Sequence, residues 1–112
     1  MDEASAIAAL AALSQPTRLT VFRLLVRHEP DGMPAGEIAR RIEVPHNTLS
    51  THLAVLARAG LVGSRRDSRH IIYRARLECM REMLAFLVED CCGGDADACG
   101  RWPAVLAGGD GA

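Results

Sequence analysis

"AGEIARRIEVPHNTLSTHLAVLARAG", Ala35 to Gly60, is the stretch that decides the fold. Ala35, Ile38, Ala39 and Ile42 fall at the i, i+3, i+4, i+7 spacing of one face of a short helix. "EVP", Glu43 to Pro45, interrupts that helix, because proline has no amide donor and disfavours helical geometry in the residue before it. A second helix then runs through "HNTLSTHLAVLARAG", with Leu49, Leu53 and Leu56 facing inward and Gly60 as its C-terminal stop. Two short helices joined by a tight turn predict a helix-turn-helix.

The outward face of the second helix carries Asn47, Ser50, Thr51, Ala54 and Arg58, at steps of three and four. Small polar residues in the first turns let such a helix approach base edges and phosphates without steric conflict. Just beyond, "LVGSRR" and "RHIIYRA" read as two strands around Asp67 and Ser68. That hairpin places Arg65, Arg66 and Arg69 near its tip, where they suit a phosphate or minor-groove contact. The DNA-binding candidates are therefore His46, Asn47, Thr48, Ser50, Thr51, Arg58, Arg65, Arg66 and Arg69.

On the N-terminal side, Ile7, Leu10, Ala11 and Leu13 form a helical stripe ending before Pro16. A second helix is expected from Pro16 to about His28. Leu19, Phe22 and Val26, reinforced by Val21 and Leu25, form its inner face, and Arg18, Arg23 and Arg27 its outer one. "EPDGMP", Glu29 to Pro34, reads as a loop. A last helix is expected from about Leu77 to Cys92, with an apolar stripe of Leu77, Met80, Leu84, Leu87 and Val88. That stripe either closes the core or, with the first helix, forms a dimer interface. Dimerisation is the expected outcome for a chain of 112 residues, which is marginal alone. The fold class expected is mainly α with a small β-hairpin: a winged helix-turn-helix dimerising through its N- and C-terminal helices. Residues 1–92 would form that domain and residues 93–112 a flexible tail.

A formal charge of −1 hides an asymmetry. From Arg18 to Arg76 there are eleven arginines against five carboxylates, whereas both ends are acidic. A basic middle between acidic ends fits one polyanion-binding face. "AIAALAAL" follows Asp2 and Glu3 with no basic group before it, unlike a secretory signal. No apolar run approaches the ~18–20 residues that span a bilayer, so the expectation is a cytoplasmic protein with no membrane partner. Four cysteines in a reducing compartment point to metal or redox chemistry rather than structural disulfides.

The segments "LSQPTRLTVFRLL" (Leu13 to Leu25), "NTLSTHLAVLARAGLV" (Asn47 to Val62) and "SRRDSRHIIYR" (Ser64 to Arg74) resemble the winged-helix repressors of the ArsR/SmtB family. The likeness spans roughly Leu10 to Val88. It implies a homodimer that covers operator DNA and releases it when an inducer binds. Two departures set further expectations. Pro45 stands where relatives often carry a polar cap, leaving Asn47 as an alternative cap. The hairpin turn lacks its usual glycine, so a longer loop is expected at the tip.

Inducer sites known in the family are partly missing: "EIARRIE" has no cysteine and "LECMREMLAFLVED" no histidine. The C-terminal "DCCGGDADAC" resembles a subgroup of arsenical repressors with an adjacent cysteine pair and a third cysteine shortly after. The resemblance assigns Cys91, Cys92 and Cys99 as ligands of As(III) or Sb(III), the inducer of arsenic resistance genes. Soft thiolates match a soft trivalent ion, and Gly93 and Gly94 permit the bend that brings all three together. A thiol redox or persulfide switch on the same residues is the alternative, and incidental thiols a third. Cys79, beside Met80, reads as a packing residue. His52 reads as packing or bonding locally, and Trp102 as packing on the dimerising helices. A thiol enzyme is disfavoured, because there is no C-x-x-C and Asp97 and Ala98 stand where a cysteine phosphatase needs arginine.

Overall fold

The computed structural model describes residues 1–89. Helix α1 (Glu3–Leu13) starts where the Asp2 carboxylate accepts the Ser5 amide at 2.8 Å. This bond holds the Asp2 carboxyl below its usual range. Its buried side is alanine, Ala6, Ala9 and Ala12, whereas Ile7 and Leu10 are 58% and 40% exposed. Of the stripe read in the sequence, Ile7, Leu10 and Ala11 face outward and Leu13 is half-buried. Both sides of this helix are apolar, and alanine's small side chain allows the closer approach to neighbouring helices.

Helix α2 (Pro16–Arg27) begins with proline in its first turn, and the Gln15 side chain accepts the Arg18 amide at 2.8 Å. Val21, Phe22, Leu24 and Leu25 are buried. Leu19 is 43% exposed and Val26 half-buried, so the inner face is rotated from the expected one and gains Leu24. Met33 and Pro34, expected in a loop, form a short strand β1 (Met33–Pro34). It pairs antiparallel with β3 (His70–Ala75), which pairs in turn with β2 (Val62–Asp67), giving the order β1-β3-β2. Proline is tolerated in β1 because an edge strand can spare its donor. Gly32 makes the approach possible: its φ is +76°, and a Cβ there would stand 2.5 Å from the Tyr73 carbonyl oxygen.

Helices α3 (Ala35–Ile42) and α4 (His46–Arg58) are joined through Glu43, whose φ of 57° turns the chain. Pro45, not Asn47, occupies the N-cap of α4. Asn47 lies in the first turn, its Oδ1 accepting the Thr48 amide at 2.9 Å. The other end is as expected. Gly60 has φ +84°, its amide reaches the Ala57 carbonyl, and the Leu61 amide reaches Leu56 at 3.0 Å. Those paired bonds form a Schellman stop, with Leu56 and Leu61 both fully buried beside it.

The hairpin is tighter than expected. Asp67 pairs with His70, leaving only Ser68 and Arg69 in the turn. Ser68 adopts φ 57° in place of the missing glycine. Helix α5 (Leu77–Val88) buries Met83, half-buries Leu77, Met80, Leu84 and Val88, and leaves Leu87 52% exposed. The Cys79 thiol is half-buried against Gly60 and Ala59, and burial pushes its pKa up. Its reading as a packing residue fits. The core gathers Leu25, Ile38, Leu49, Leu53, Leu56 and Leu61 between the helices and the sheet. No described helix is long and apolar enough to cross a membrane. Helix α5 ends at Val88 with Glu89 as its C-cap, short of the expected Cys92, and Cys91, Cys92, Cys99, Trp102 and the tail lie outside the described residues.

Candidate nucleic-acid interface

Burying Leu49, Leu53 and Leu56 turns the opposite side of α4 to solvent. His46, Asn47, Thr48, Ser50, Thr51 and Ala54 are all exposed there. Local bonds keep the surface compact: Ser50 Oγ donates to the His46 carbonyl at 3.1 Å and Thr51 Oγ1 to the Asn47 carbonyl at 3.3 Å. Each hydroxyl oxygen still has a free lone pair, and rotation can redirect its proton to an outside acceptor.

The hairpin carries Arg65, Arg66 and Arg69 fully outside the core. Arg65 reaches the Asp31 carbonyl only at 3.4 Å. Among the described residues, none of Arg58, Arg65, Arg66 and Arg69 has a carboxylate partner. The ion pairs fall elsewhere. Glu37 accepts from Arg40 and from Arg41, which together hold its carboxyl below the usual carboxylate range. Glu29 takes both arms of Arg74 at 3.0 Å and raises the pKa of that guanidinium. Among the described residues Arg18, Arg23, Arg27 and Arg81 also lack a carboxylate partner, so it is position on the wing and on α4 that sets the candidate arginines apart.

The structure spreads the candidates over more than two places, with Arg65 lining a groove beside Ser64, Arg74, Arg76 and Glu78. His46 and Ser50 line a groove with Arg69, in the seam between the start of α4 and the hairpin. His70 and Tyr73, which sequence reasoning passed over, complete its wall. Arg58 instead lines a shallow apolar groove of about 210 Å³ with Ala8, Ala11, Ala12 and Val55, beside α1.

Arg18 was expected to stay outside, yet it is half-buried and ties three helices together. Its Nε donates to the Ala12 carbonyl of α1 at 2.7 Å, and its Nη1 donates to His52 Nδ1 of α4 at 3.3 Å. The reading helix is thereby bonded to the helix that exposes Ile7 and Leu10. His52 bonds across 34 positions rather than locally. Nothing in the local pattern signals this contact, since the partners lie on different helices. Among the described residues, no cluster of three His, Cys, Asp or Glu side chains could hold a metal ion.

A polar reading helix packed beside a three-stranded sheet whose hairpin carries free arginines defines a winged helix-turn-helix module of the DNA-binding type. A family profile described as "Helix-turn-helix domain" matches residues 13–65. The chain is 33% identical over 96 residues to nodulation protein NolR of Rhizobium meliloti, spanning 86% of this chain and 75% of that protein. An ArsR-like transcriptional regulator from Rhodococcus sp. RHA1 superposes with a TM-score of 0.67 at 30% identity, covering 93% of this chain and 88% of that one. A homodimeric winged helix-turn-helix DNA-binding domain from Mycobacterium bovis superposes at 0.63, with 25% identity over 75% of this chain and 76% of its own. The chain belongs to the ArsR-like family of winged helix-turn-helix transcriptional regulators.

Proposed function

We propose that the chain is a homodimeric repressor of arsenic resistance genes, released from its operator when As(III) or Sb(III) is gathered by Cys91, Cys92 and Cys99. The observation that carries this reading is position. The thiol-rich "DCCGGDADAC" begins directly after Glu89, the C-cap of α5. Helix α5 exposes Leu87 and packs beside α1, which exposes Ile7 and Leu10. Apolar surface left open on two adjacent helices suits a two-fold interface, and the M. bovis domain, itself homodimeric, supports a dimer.

An ion bound at the end of α5 would strain the dimer contact and alter the spacing of the two α4 helices. Duplex DNA fixes its half-site spacing, so a small change weakens both contacts at once. A coupling of ~1–3 kcal/mol, a 5- to 150-fold loss of affinity, is typical of such linkage. Three thiolates complete the coordination of a soft trivalent ion, and no histidine is needed.

Arsenite titrated into the protein–DNA complex should release the DNA. Cys91→Ser, Cys92→Ser and Cys99→Ser should each bind DNA normally and no longer release it. Normal arsenite release in all three variants would overturn the assignment. Release by a disulfide or persulfide donor but not by arsenite would favour the thiol redox reading.

A further inference from the structure

Two of the four histidines are engaged inside the described residues and two are not. His28 bonds the Leu24 carbonyl through Nδ1 at 3.0 Å and accepts from Arg41 at 3.3 Å. His52 accepts from Arg18. The imidazoles of His46 and His70, 24 positions apart and both residues exposed, have no hydrogen-bond partner among the described residues, and the two residues line one groove. We propose that this groove is a proton-coupled seat for a DNA backbone phosphate, formed by His46, Ser50, Arg69, His70 and Tyr73. The inference rests on the DNA-binding reading and adds to it a ligand atom, two further residues and a pH dependence.

The placement is what a duplex requires. A helix about 10–12 Å across fills a major groove about 12 Å wide, so the backbone strand flanking that groove passes beside the helix. The hairpin stands on that side, and the seam between them is an open groove of about 310 Å³. Arg69, Ser50 and the two histidines lining it can each donate a hydrogen bond, whereas a phosphodiester only accepts. Among the described residues no carboxylate lines the groove to compete with an anion.

The second proton is where coupling enters. Neutral imidazole has one donor and one acceptor nitrogen, whereas the protonated ring has two donors and a full charge. Imidazole titrates in the physiological range, and an adjacent anion favours the charged form. The groups facing the two rings are few. Against His46 stand Ser50 on its own helix and the start of α3, whose Gly36 would place a Cβ 4.0 Å from Nε2. The acid of α3, Glu37, is held by Arg40 and Arg41. Against His70 stand Arg69, Tyr73 and, across the hairpin register, Asp67. Arg69 brings a positive charge and Asp67 a negative one to this end of the hairpin. A bound phosphate adds a negative charge facing both rings, so binding takes up protons.

The test uses the full chain and a fluorescein-labelled duplex of about 30 base pairs of mixed sequence, since phosphate contacts are sequence-independent. At constant salt, the affinity should rise roughly tenfold or more from pH 8 to pH 6, as linkage demands for two imidazoles that gain protons on binding. The double variant His46→Gln/His70→Gln, which keeps amide donors but cannot titrate, should flatten that dependence. His28→Gln should retain the full dependence, and unchanged thermal unfolding of the double variant would exclude misfolding as the cause. An affinity that is steep in salt but flat in pH, or a pH dependence that survives in the double variant, overturns the proposal and leaves DNA binding standing. No binding to any duplex would instead remove the DNA reading on which it rests.

Discussion

Arg66 carries no partner among the described residues and projects from a strand whose opposite residue, Ile71, is itself exposed. A guanidinium in this position contributes little to stability, because its charge is solvated in the isolated chain. Its contribution belongs to a complex, where it displaces counterions from a phosphate. Arg66→Ala should therefore leave the thermal unfolding midpoint unchanged and weaken DNA binding about equally across sequences. The slope of log affinity against log salt should fall by about 1. An unchanged slope would take this arginine off the contact surface. Arg40 and Arg41 are the contrast: both are already bonded to Glu37. They were indistinguishable from the wing arginines by charge count, and only their helical spacing to Glu37 separates them.

Among the elements, the wing depends on backbone geometry that its residues do not all favour. Gly32 admits β1 to the edge of β3, because only a hydrogen fits beside the Tyr73 carbonyl. Gly32→Ala should cost about 3 kcal/mol in urea unfolding, combining an unfavourable positive φ with an overlap against backbone that cannot yield. It should also loosen the sheet, visible as faster amide exchange at Met33 and Tyr73, which pair across it. A cost near zero would mean that β1 does not hold the wing. The missed strand has a simple reason: two residues give no alternation to detect, and Pro30, Gly32 and Pro34 all advertise a turn. The tight hairpin was missed similarly, because Ser68 accepts a conformation normally given to glycine.

For the whole molecule, the decisive feature is apolar surface left unburied. Ile7, Leu10 and Leu87 remain open on α1 and α5, two helices that pack together. Arg18 bonds the end of α1 to His52 of α4, so any force on the α1 side has a direct route to the reading helix. Leu87→Glu should yield a monomer by light scattering and weaken operator binding about 100-fold or more, because the two half-sites would lose their shared attachment. A Leu87→Glu protein that remains dimeric would move the interface off α5. The charge layout follows the same division: α5 bears Glu78 and Glu82 with Glu89 at its cap, whereas Arg58 of α4 and Arg65, Arg66 and Arg69 of the wing have no carboxylate partner among the described residues.

The helix-turn-helix, its glycine stop and the arginine hairpin were legible because each is set by interactions within a few positions. Leucines three and four apart share a helix face, and Gly60 relieves a strain that any other residue would incur there. Six of the nine predicted DNA-binding residues lie on one helix, and its inward leucines alone dictate that five of them face solvent from its first turns. What the pattern left open was every choice between surfaces of similar polarity. Alanines rather than Ile7 and Leu10 cover the core, because close packing favours small side chains where helices meet. His46 and His70 line one groove, and Arg18 meets His52, only because folding brings distant segments together. Local spacing carries no record of such encounters; they follow from which complete set of faces buries the most apolar surface with its polar groups still bonded.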